Sequence, residues 1–390
     1  MDFTYNDEQI AYRDTARQFA ANELAPYAAQ WDANEEFPKG VLRHAGELGF
    51  CALYTPQDVG GLGLSRLDAS LVFEELAHGC TSTTAFLTIH NMALWMVASF
   101  GSESAKADLC PELVSGAKLA SYCLTEPGAG SDAAALKTVA KKTAGGYQLT
   151  GTKAFISGAG DTDVLVVMAR LEDDAGVQPG AKGICAFAMD ATTPGISFGR
   201  KEAKMGWNSQ ATRQVNFDAA FVPEQRRLGR EGDGFKIAMR GLDGGRINIA
   251  TCSVGTAQAA FEQARAYMGE RRAFGQVLGT FQGLQFKLAD MATNLIASRQ
   301  MVRLAAWKLD SQDSDATMFC AMAKRFATDM CFDVCNDALQ IHGGYGYIKE
   351  YPLERHVRDT RVHQILEGTN EIMRVIIARR LLIEGAAEVY

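Results

Sequence analysis

The 390-residue sequence has few prolines, no paired-cysteine motif, no block of basic residues and no long apolar run. Each absence removes a class of protein. Nine prolines against 38 glycines leave long helices unbroken and put glycines where a chain turns or backbones approach closely. The nine cysteines (51, 80, 110, 123, 185, 252, 320, 331, 335) are odd in number and scattered, without C-x-x-C. That pattern argues against a disulfide framework or zinc site and for a reducing compartment; Cys331 and Cys335, one helical turn apart, read as small core residues. The net charge is −7, with 39 basic and 46 acidic residues, and no Lys/Arg cluster could track a phosphate backbone. Nucleic acid is excluded as a partner. The longest apolar run, 85–100, is interrupted by Thr88, His90 and Asn91 and falls short of the ~20 residues a bilayer span needs. The opening MDFTYNDEQIAYRD has early acids and no apolar stretch, unlike a secretory signal or a transit peptide.

What is present divides into three textures, in keeping with the two to three domains that the length suggests. Residues 1–120 read as a helical domain, with helices expected at 7–31, 39–48, 66–78, 83–100 and 103–115 and a capping box at Asn6 and Gln9. Residues 121–232 carry β-rich runs at 147–156, 163–169, 183–189 and 212–218 between Gly and Pro-Gly breaks, which suits a small antiparallel barrel or sandwich. From 233 to 390 the helical period returns. Leu284, Leu288, Met291, Leu295, Val302 and Leu309 form one stripe, 316–341 lacks Gly and Pro, and a last helix capped by Thr369 or Asn370 runs to about 384. The fold class expected is α+β: a helical domain, a β domain, then a four-helix bundle.

Several enzyme signatures fail. Gly128-Ala129-Gly130-Ser131-Asp132-Ala133 fits a loose dinucleotide pattern, but Pro127 precedes it and no acid follows some 20 residues later. Thr251-Cys252-Ser253-Val254-Gly255 lacks the first glycine of a nucleophile elbow and sits in helical context. The six histidines (44, 78, 90, 342, 356, 363) form no H-x-x-x-H set, so no metal is expected.

Three segments are more specific. Tyr122 to Asp132 enters as a strand and then presents small residues with free backbone N–H groups, as either a plain turn or an edge for a planar heterocycle and a thioester. Gln340-Ile341-His342-Gly343-Gly344-Tyr345-Gly346-Tyr347 follows a long helix and leads to Glu350, Arg355 and Asp359; a helix C-cap or a close ligand approach would explain its glycines. In Leu366-Glu367-Gly368-Thr369-Asn370-Glu371 an acid stands before a glycine hinge and a helix start.

Together, in this order, the three segments resemble the acyl-CoA dehydrogenase family of flavoproteins. The motif from Cys123 and the run from Gln340 look like its two signature patterns, and the likeness extends over essentially the whole chain. The stretches IHNMALWM (89–96), KAFISGAG (153–160), GWNSQ (206–210), RGLDGGRINIA (240–250) and VRDTRVHQILEGTNEIMR (357–374) are most similar to the branch acting on isobutyryl-CoA in valine catabolism.

The resemblance implies FAD as cofactor and Glu367 as the base that removes the α-proton of an acyl thioester while a β-hydride passes to the flavin. Gly245 stands where another branch carries its base and cannot serve. FAD contacts are implied at Tyr122, Cys123, Leu124, Thr125, Gly130 and Ser131, at Phe155, Ile156 and Ser157, and at Thr369, Asn370 and Glu371. Arg271, Phe274, Phe281, Gln282, Gln340, Ile341, His342, Gly343 and Gly344 would hold the adenine and pyrophosphate end, partly from a neighbouring subunit. Substrate contacts are implied at Ser131, Asp243, Gly244, Gly245, Arg246, Gly368 and Arg379; Arg246 would face a CoA or else serve as a structural arginine. Asn91, Met92, Trp95, Met96 and Leu366 would shape the acyl pocket. The family also implies electron-transferring flavoprotein as acceptor, a homotetramer built as a dimer of dimers, and a bacterial cytoplasmic or mature mitochondrial matrix location. Alternatives left open are another short branched substrate such as 2-methylbutyryl-CoA, an acyl-CoA oxidase, and a non-catalytic binding protein of the same fold.

Overall fold

The computed structural model describes residues 4–383 and Gly385. Six helices form the N-terminal part: α1 (Asp7–Phe19), α2 (Ala28–Asn34), α3 (Lys39–Glu47), α4 (Arg66–Gly79), α5 (Thr81–Phe100) and α6 (Glu103–Val114). The capping box at the start of α1 is made in both directions, Asn6 Oδ1 accepting from Gln9 N at 2.8 Å and Gln9 Oε1 from Asn6 N at 3.2 Å. The single helix expected over 7–31 is instead broken. After Phe19 the chain widens into a π-turn at Ala20–Leu24, and Pro26, which has no N–H to continue the ladder, separates it from α2. Helix α5 is buried almost throughout and forms the spine of this part.

The middle part is one sheet of nine strands: β1 (Ala120–Cys123), β2 (Val139–Thr143), β3 (Gly146–Ser157), β4 (Val164–Asp173), β5 (Gly176–Val177), β6 (Ile184–Asp190), β7 (Ile196–Phe198), β8 (Thr212–Pro223) and β9 (Arg227–Leu228). It is mixed, where an antiparallel barrel or sandwich was expected. β1 and β2 lie end to end along one edge of β4, both parallel to it, while β6 lines the other edge antiparallel. The parallel pairs arise because the chain leaves β1 by a long loop and reaches β4 only after the β2–β3 hairpin, a crossover long enough to restore its direction. Strand β4 is buried on both faces. Leu165, Val167, Ala169 and Leu171 point into the sheet's own core with Tyr147, Phe187 and Phe217, whereas Val164, Val166 and Met168 pack against helical residues such as Met92, Met96 and Ile237.

The C-terminal part holds α7 (Gly234–Glu270), a small hairpin β10 (Arg272–Ala273) and β11 (Gln276–Val277), α8 (Gln282–Asp310), α9 (Ala316–His342), α10 (Gly344–Tyr347), α11 (Leu353–Arg361) and α12 (Asn370–Leu382). The contacts Thr317–Asp243 and His342–Tyr267 make α9 parallel to α7. Lys287–Asp337 and Asn370–Thr328 with Arg380–Asp315 turn α8 and α12 the other way. The result is the expected four-helix bundle, up-down-up-down, its fourth member less than half the length of any other. Glu384, where the last helix was expected to end, lies outside the described residues.

Candidate active site

Of the six glycines of helix α7, Gly241, Gly244 and Gly245 cluster where it meets α4, α5 and the 362–369 turn. Each is pressed by a different side chain. A Cβ built on Gly241 would stand 2.0 Å from Met96 Cε, one on Gly244 2.4 Å from Arg66 Nη1, and one on Gly245 2.4 Å from Glu367 Oε2. Glycine inside a helix costs up to about 1 kcal/mol against alanine, so three within five positions need a packing reason, and these contacts supply it.

Glu367 sits at φ 56°, followed by Gly368 at φ 89°, and this left-handed pair turns the chain from α11 into α12. Thr369 then caps α12, its hydroxyl accepting from Ile372 N at 3.3 Å. Although the residue is only half-buried, Oε2 is sealed from solvent and has no hydrogen-bond partner among the described residues. Burial pushes the Glu367 carboxyl up to about 7, with the charges of Arg246 and Lys324 pulling the other way. A carboxyl so placed can take up a proton near neutral pH.

Two other sealed polar atoms lack partners in the same neighbourhood: the Tyr122 hydroxyl, which feels the charge of Glu367, and Arg66 Nη1. The Arg66 guanidinium lies 3.4 Å from the centre of the Tyr54 ring and 5.4 Å from that of Trp95. An orphaned carboxylate oxygen with two orphaned polar groups beside it marks the place of a polar ligand.

Arg246 is buried, its Nη1 2.6 Å from Asp243 Oδ1 and its Nε donating to the Glu367 carbonyl at 3.4 Å; Thr317 completes Asp243 at 2.7 Å. Its guanidinium is thus engaged within the chain. Asn91 is core and not pocket wall, because its amide bonds Phe50 O, Leu87 O and Leu53 N. The Asn370 side chain likewise points inward, to Lys324, Thr328 and Asp329.

On the β side, Tyr122 and Leu124 face the helices while Cys123 points into the sheet core, leaving only its backbone toward the site. Beyond them Gly128 and Gly130 lie in the open, with nothing within 4 Å of a built Cβ, and Ser131 is exposed beside them. Beneath this loop Lys153 Nζ is fully buried, 2.8 Å from Glu126 Oε1 and 3.0 Å from Leu124 O; Glu126 also accepts from Lys137 N and Thr138 N. Phe155 stands at a bulge with φ 57° and is 69 % exposed, whereas Ile156 is core and the Ser157 carbonyl accepts from Ser121. Trp207, at φ 56°, ties this side to the Glu367 turn through Nε1 to His363 at 3.2 Å and N to Asp359 at 2.6 Å. Strained non-glycine backbone thus recurs at Phe155, Trp207 and Glu367.

Several of the remaining predicted residues gather elsewhere. Arg271, Ile341, His342, Gly343 and Gly344 line a cavity of about 400 Å³ with Tyr267 and Tyr345, and Phe274 packs edge-on to Phe281 nearby. Gln282, Gln340, Glu371 and Arg379 are exposed. The cavity lies at the far end of α7, roughly 40 Å from Gly245 at ~1.5 Å per helical residue.

Domains of one family match the chain in sequence: the acyl-CoA dehydrogenase N-terminal domain at residues 6–117, the middle domain at 121–220 and the C-terminal domain at 232–382. The chain belongs to the acyl-CoA dehydrogenase family. Among acyl-CoA dehydrogenase relatives, mitochondrial isobutyryl-CoA dehydrogenase of Bos taurus is 54 % identical over 379 residues, covering 97 % of this chain and 90 % of that protein. Butyryl-CoA dehydrogenase from Megasphaera elsdenii superposes with a TM-score of 0.93 at 38 % identity, covering 98 % and 100 % of the two chains. A structure of PigA with FAD and proline gives 0.94 at 30 %, covering 99 % and 100 %. The acyl-CoA dehydrogenase fold therefore accounts for the α–β–α order, and the chain is an oxidoreductase by family. Sequence reasoning missed Arg66 and Lys324, which as single cations have no pattern; the G-x-x-G-G spacing in α7 was the available sign of a close approach.

Proposed function

We propose that this enzyme carries out FAD-dependent α,β-dehydrogenation of a short branched acyl-CoA, isobutyryl-CoA being converted to methacrylyl-CoA, with Glu367 as the base. The observation carrying this reading is the sealed Glu367 carboxyl with an unpartnered Oε2 resting on Gly245. The Bos taurus relative named for isobutyryl-CoA supports the substrate. The residues fit a flavin on the β side: an open glycine loop at 128–130, the exposed Phe155 and the orphaned Tyr122 hydroxyl offer small, flat and polar contacts. Bound FAD supplies a two-electron acceptor for the hydride that leaves Cβ.

The chain's own part is proton chemistry and placement. Glu367 Oε2 takes the α-proton, the α C–H electrons become the new Cα=Cβ bond, and the carboxyl ends neutral, the form burial favours. Arg246 steadies the Glu367 backbone and, with Lys324, favours the ionised carboxylate beforehand. Arg66, Tyr54 and Trp95 close one side of the acyl space, which supports a short chain.

The distance of the Arg271–Gly344 cavity from Glu367 supports adenine binding by a second copy, in a homotetramer. Electron-transferring flavoprotein as acceptor and a cytoplasmic or matrix location are further parts of this reading; among the described residues no helix is long and apolar enough to cross a membrane. Anaerobic titration with a panel of acyl-CoAs tests the proposal through loss of the visible flavin band. Isobutyryl-CoA should bleach it most efficiently, and a preference for a straight medium chain would refute the substrate assignment.

A further inference from the structure

Lys324 is a buried cation that the chemistry above uses only at a distance. It projects from α9 with a fully buried side chain, and its Nζ donates to Gly368 O and to Asn370 Oδ1, each at 2.8 Å. Those acceptors stand at and just after the turn in which Glu367 and Gly368 both take left-handed backbone. Such a conformation is strained for a non-glycine residue and persists only when neighbours hold it. Asn370 passes the restraint on, donating to Thr328 Oγ1 at 2.9 Å and to Asp329 Oδ1 at 2.7 Å.

We propose that Lys324 is the positioning residue of the base: its ammonium pins the turn that presents Glu367, and its charge favours the ionised carboxylate. This rests on Glu367 being the base. A hydrogen-bond donor alone would not require a lysine, since a neutral amide also carries two N–H donors and spares the cost of burying an ion. The charges around it say what the ion answers to. Lys324 faces Glu367 from the turn, Arg246 from α7, Asp329 one turn along its own helix and Glu371 from α12, with His363 held neutral by burial in the adjoining turn. Glu367 in turn faces Arg246, Lys324 and the hydroxyls of Tyr54 and Tyr122. Burial drives Lys324 down to about 7, and among its neighbours Glu367 opposes this most. Each member of the pair thus offsets part of what burial costs the other's charge.

Three variants of the FAD-loaded enzyme separate the two roles: Lys324→Gln keeps a donor and removes the charge, Lys324→Arg keeps the charge, and Lys324→Met removes both. The first readout is the pH dependence of single-turnover flavin bleaching by isobutyryl-CoA. The second is the infrared band of the protonated Glu367 carboxyl, assigned by its loss in Glu367→Gln and titrated without substrate. In Lys324→Gln both should move to higher pH by about one unit, a roughly tenfold smaller fraction of ionised base on the acid side. Lys324→Arg should titrate like wild type, and Lys324→Met should add a further loss of rate at every pH. Wild-type titration of the carboxyl in Lys324→Gln would overturn the proposal, as would a shift in Lys324→Arg as large as that in Lys324→Gln. Should Lys324→Met not fold, the Gln and Arg variants still decide the matter. Failure of the base assignment itself is distinguishable, since Glu367→Gln would then bleach normally.

Discussion

The Glu367 carboxylate rests against the bare backbone of Gly245, with room for a hydrogen there and for nothing larger: a methyl would stand 2.4 Å from Oε2. The position of the base is therefore set by an absent side chain on another helix.

Gly245→Ala should leave the fold and the FAD content intact while lowering kcat. Displacing the carboxylate by about 1 Å costs on the order of 100-fold when the reacting atoms must align. Steady-state turnover beside a flavin spectrum checks this; unchanged kcat would mean that the turn yields freely.

Glu367→Gln should retain FAD and acyl-CoA binding and lose roughly 10²–10⁴-fold in bleaching rate. A further consequence concerns stability. Glu367's carboxyl is raised from its ordinary range to about 7, so the folded state binds this proton more tightly than the unfolded chain. The contribution is fully present below the unfolded value near 4 and disappears as pH rises through about 7. At pH 8 the Gln variant should consequently melt at a higher temperature than wild type, and the gap should close toward pH 4. Equal melting at both pH values would contradict the carboxyl's raised proton affinity.

Arg66→Ala and Trp95→Ala should each shift selectivity from isobutyryl-CoA toward hexanoyl-CoA, since the Arg66 guanidinium stands against Gly244 and the Trp95 ring lies next to that guanidinium. A change of roughly tenfold in the ratio of kcat/KM values corresponds to about 1.4 kcal/mol, a reasonable yield for opening one wall. An unaltered ratio in both variants would remove them from the acyl pocket.

Lys153→Met should destabilise the middle domain by about 3–5 kcal/mol, because it strands a nearly buried Glu126 that otherwise fixes the 124–138 loop. Loss of FAD should accompany a lower melting temperature. Replacing both partners, Lys153→Met with Glu126→Gln, should recover part of the stability.

Much of this was readable from sequence, and the exceptions share a cause. Helices α4, α5, α8 and α9 follow apolar periodicity and breaks to within about two residues, and Asn6 and Thr369 cap as their side chains dictate. Parallel pairing of β1 with β4 was hidden, since alternation along a strand specifies a buried face but not the direction of its neighbour. Glu367, Gly245 and the glycine loop were accessible through family resemblance. Arg66 and Lys324 were not, because an isolated cation on an amphipathic helix reads as solvated until tertiary structure buries it. Asn91 erred the other way: the family resemblance implied a place in the acyl pocket, yet its amide faces the 50–53 loop.

The glycines of α7 also draw a map for engineering. Replacing an exposed helical glycine by alanine ordinarily gains about 0.4–1 kcal/mol by restricting the unfolded chain. Gly40 in α3, Gly269 in α7 and Gly283 in α8 have nothing within 4 Å of a built Cβ and ordinary helical φ, so thermal hardening can begin there. The same exchange at Gly241, Gly244 or Gly245 would run into Met96, Arg66 or the base. Gly234 and Gly255 of the same helix are closed as well, by the backbones of Cys185 and Glu74. One helix thus contains one position open to improvement and five closed to it, and the three pressed by the tips of side chains are those that stand around the chemistry.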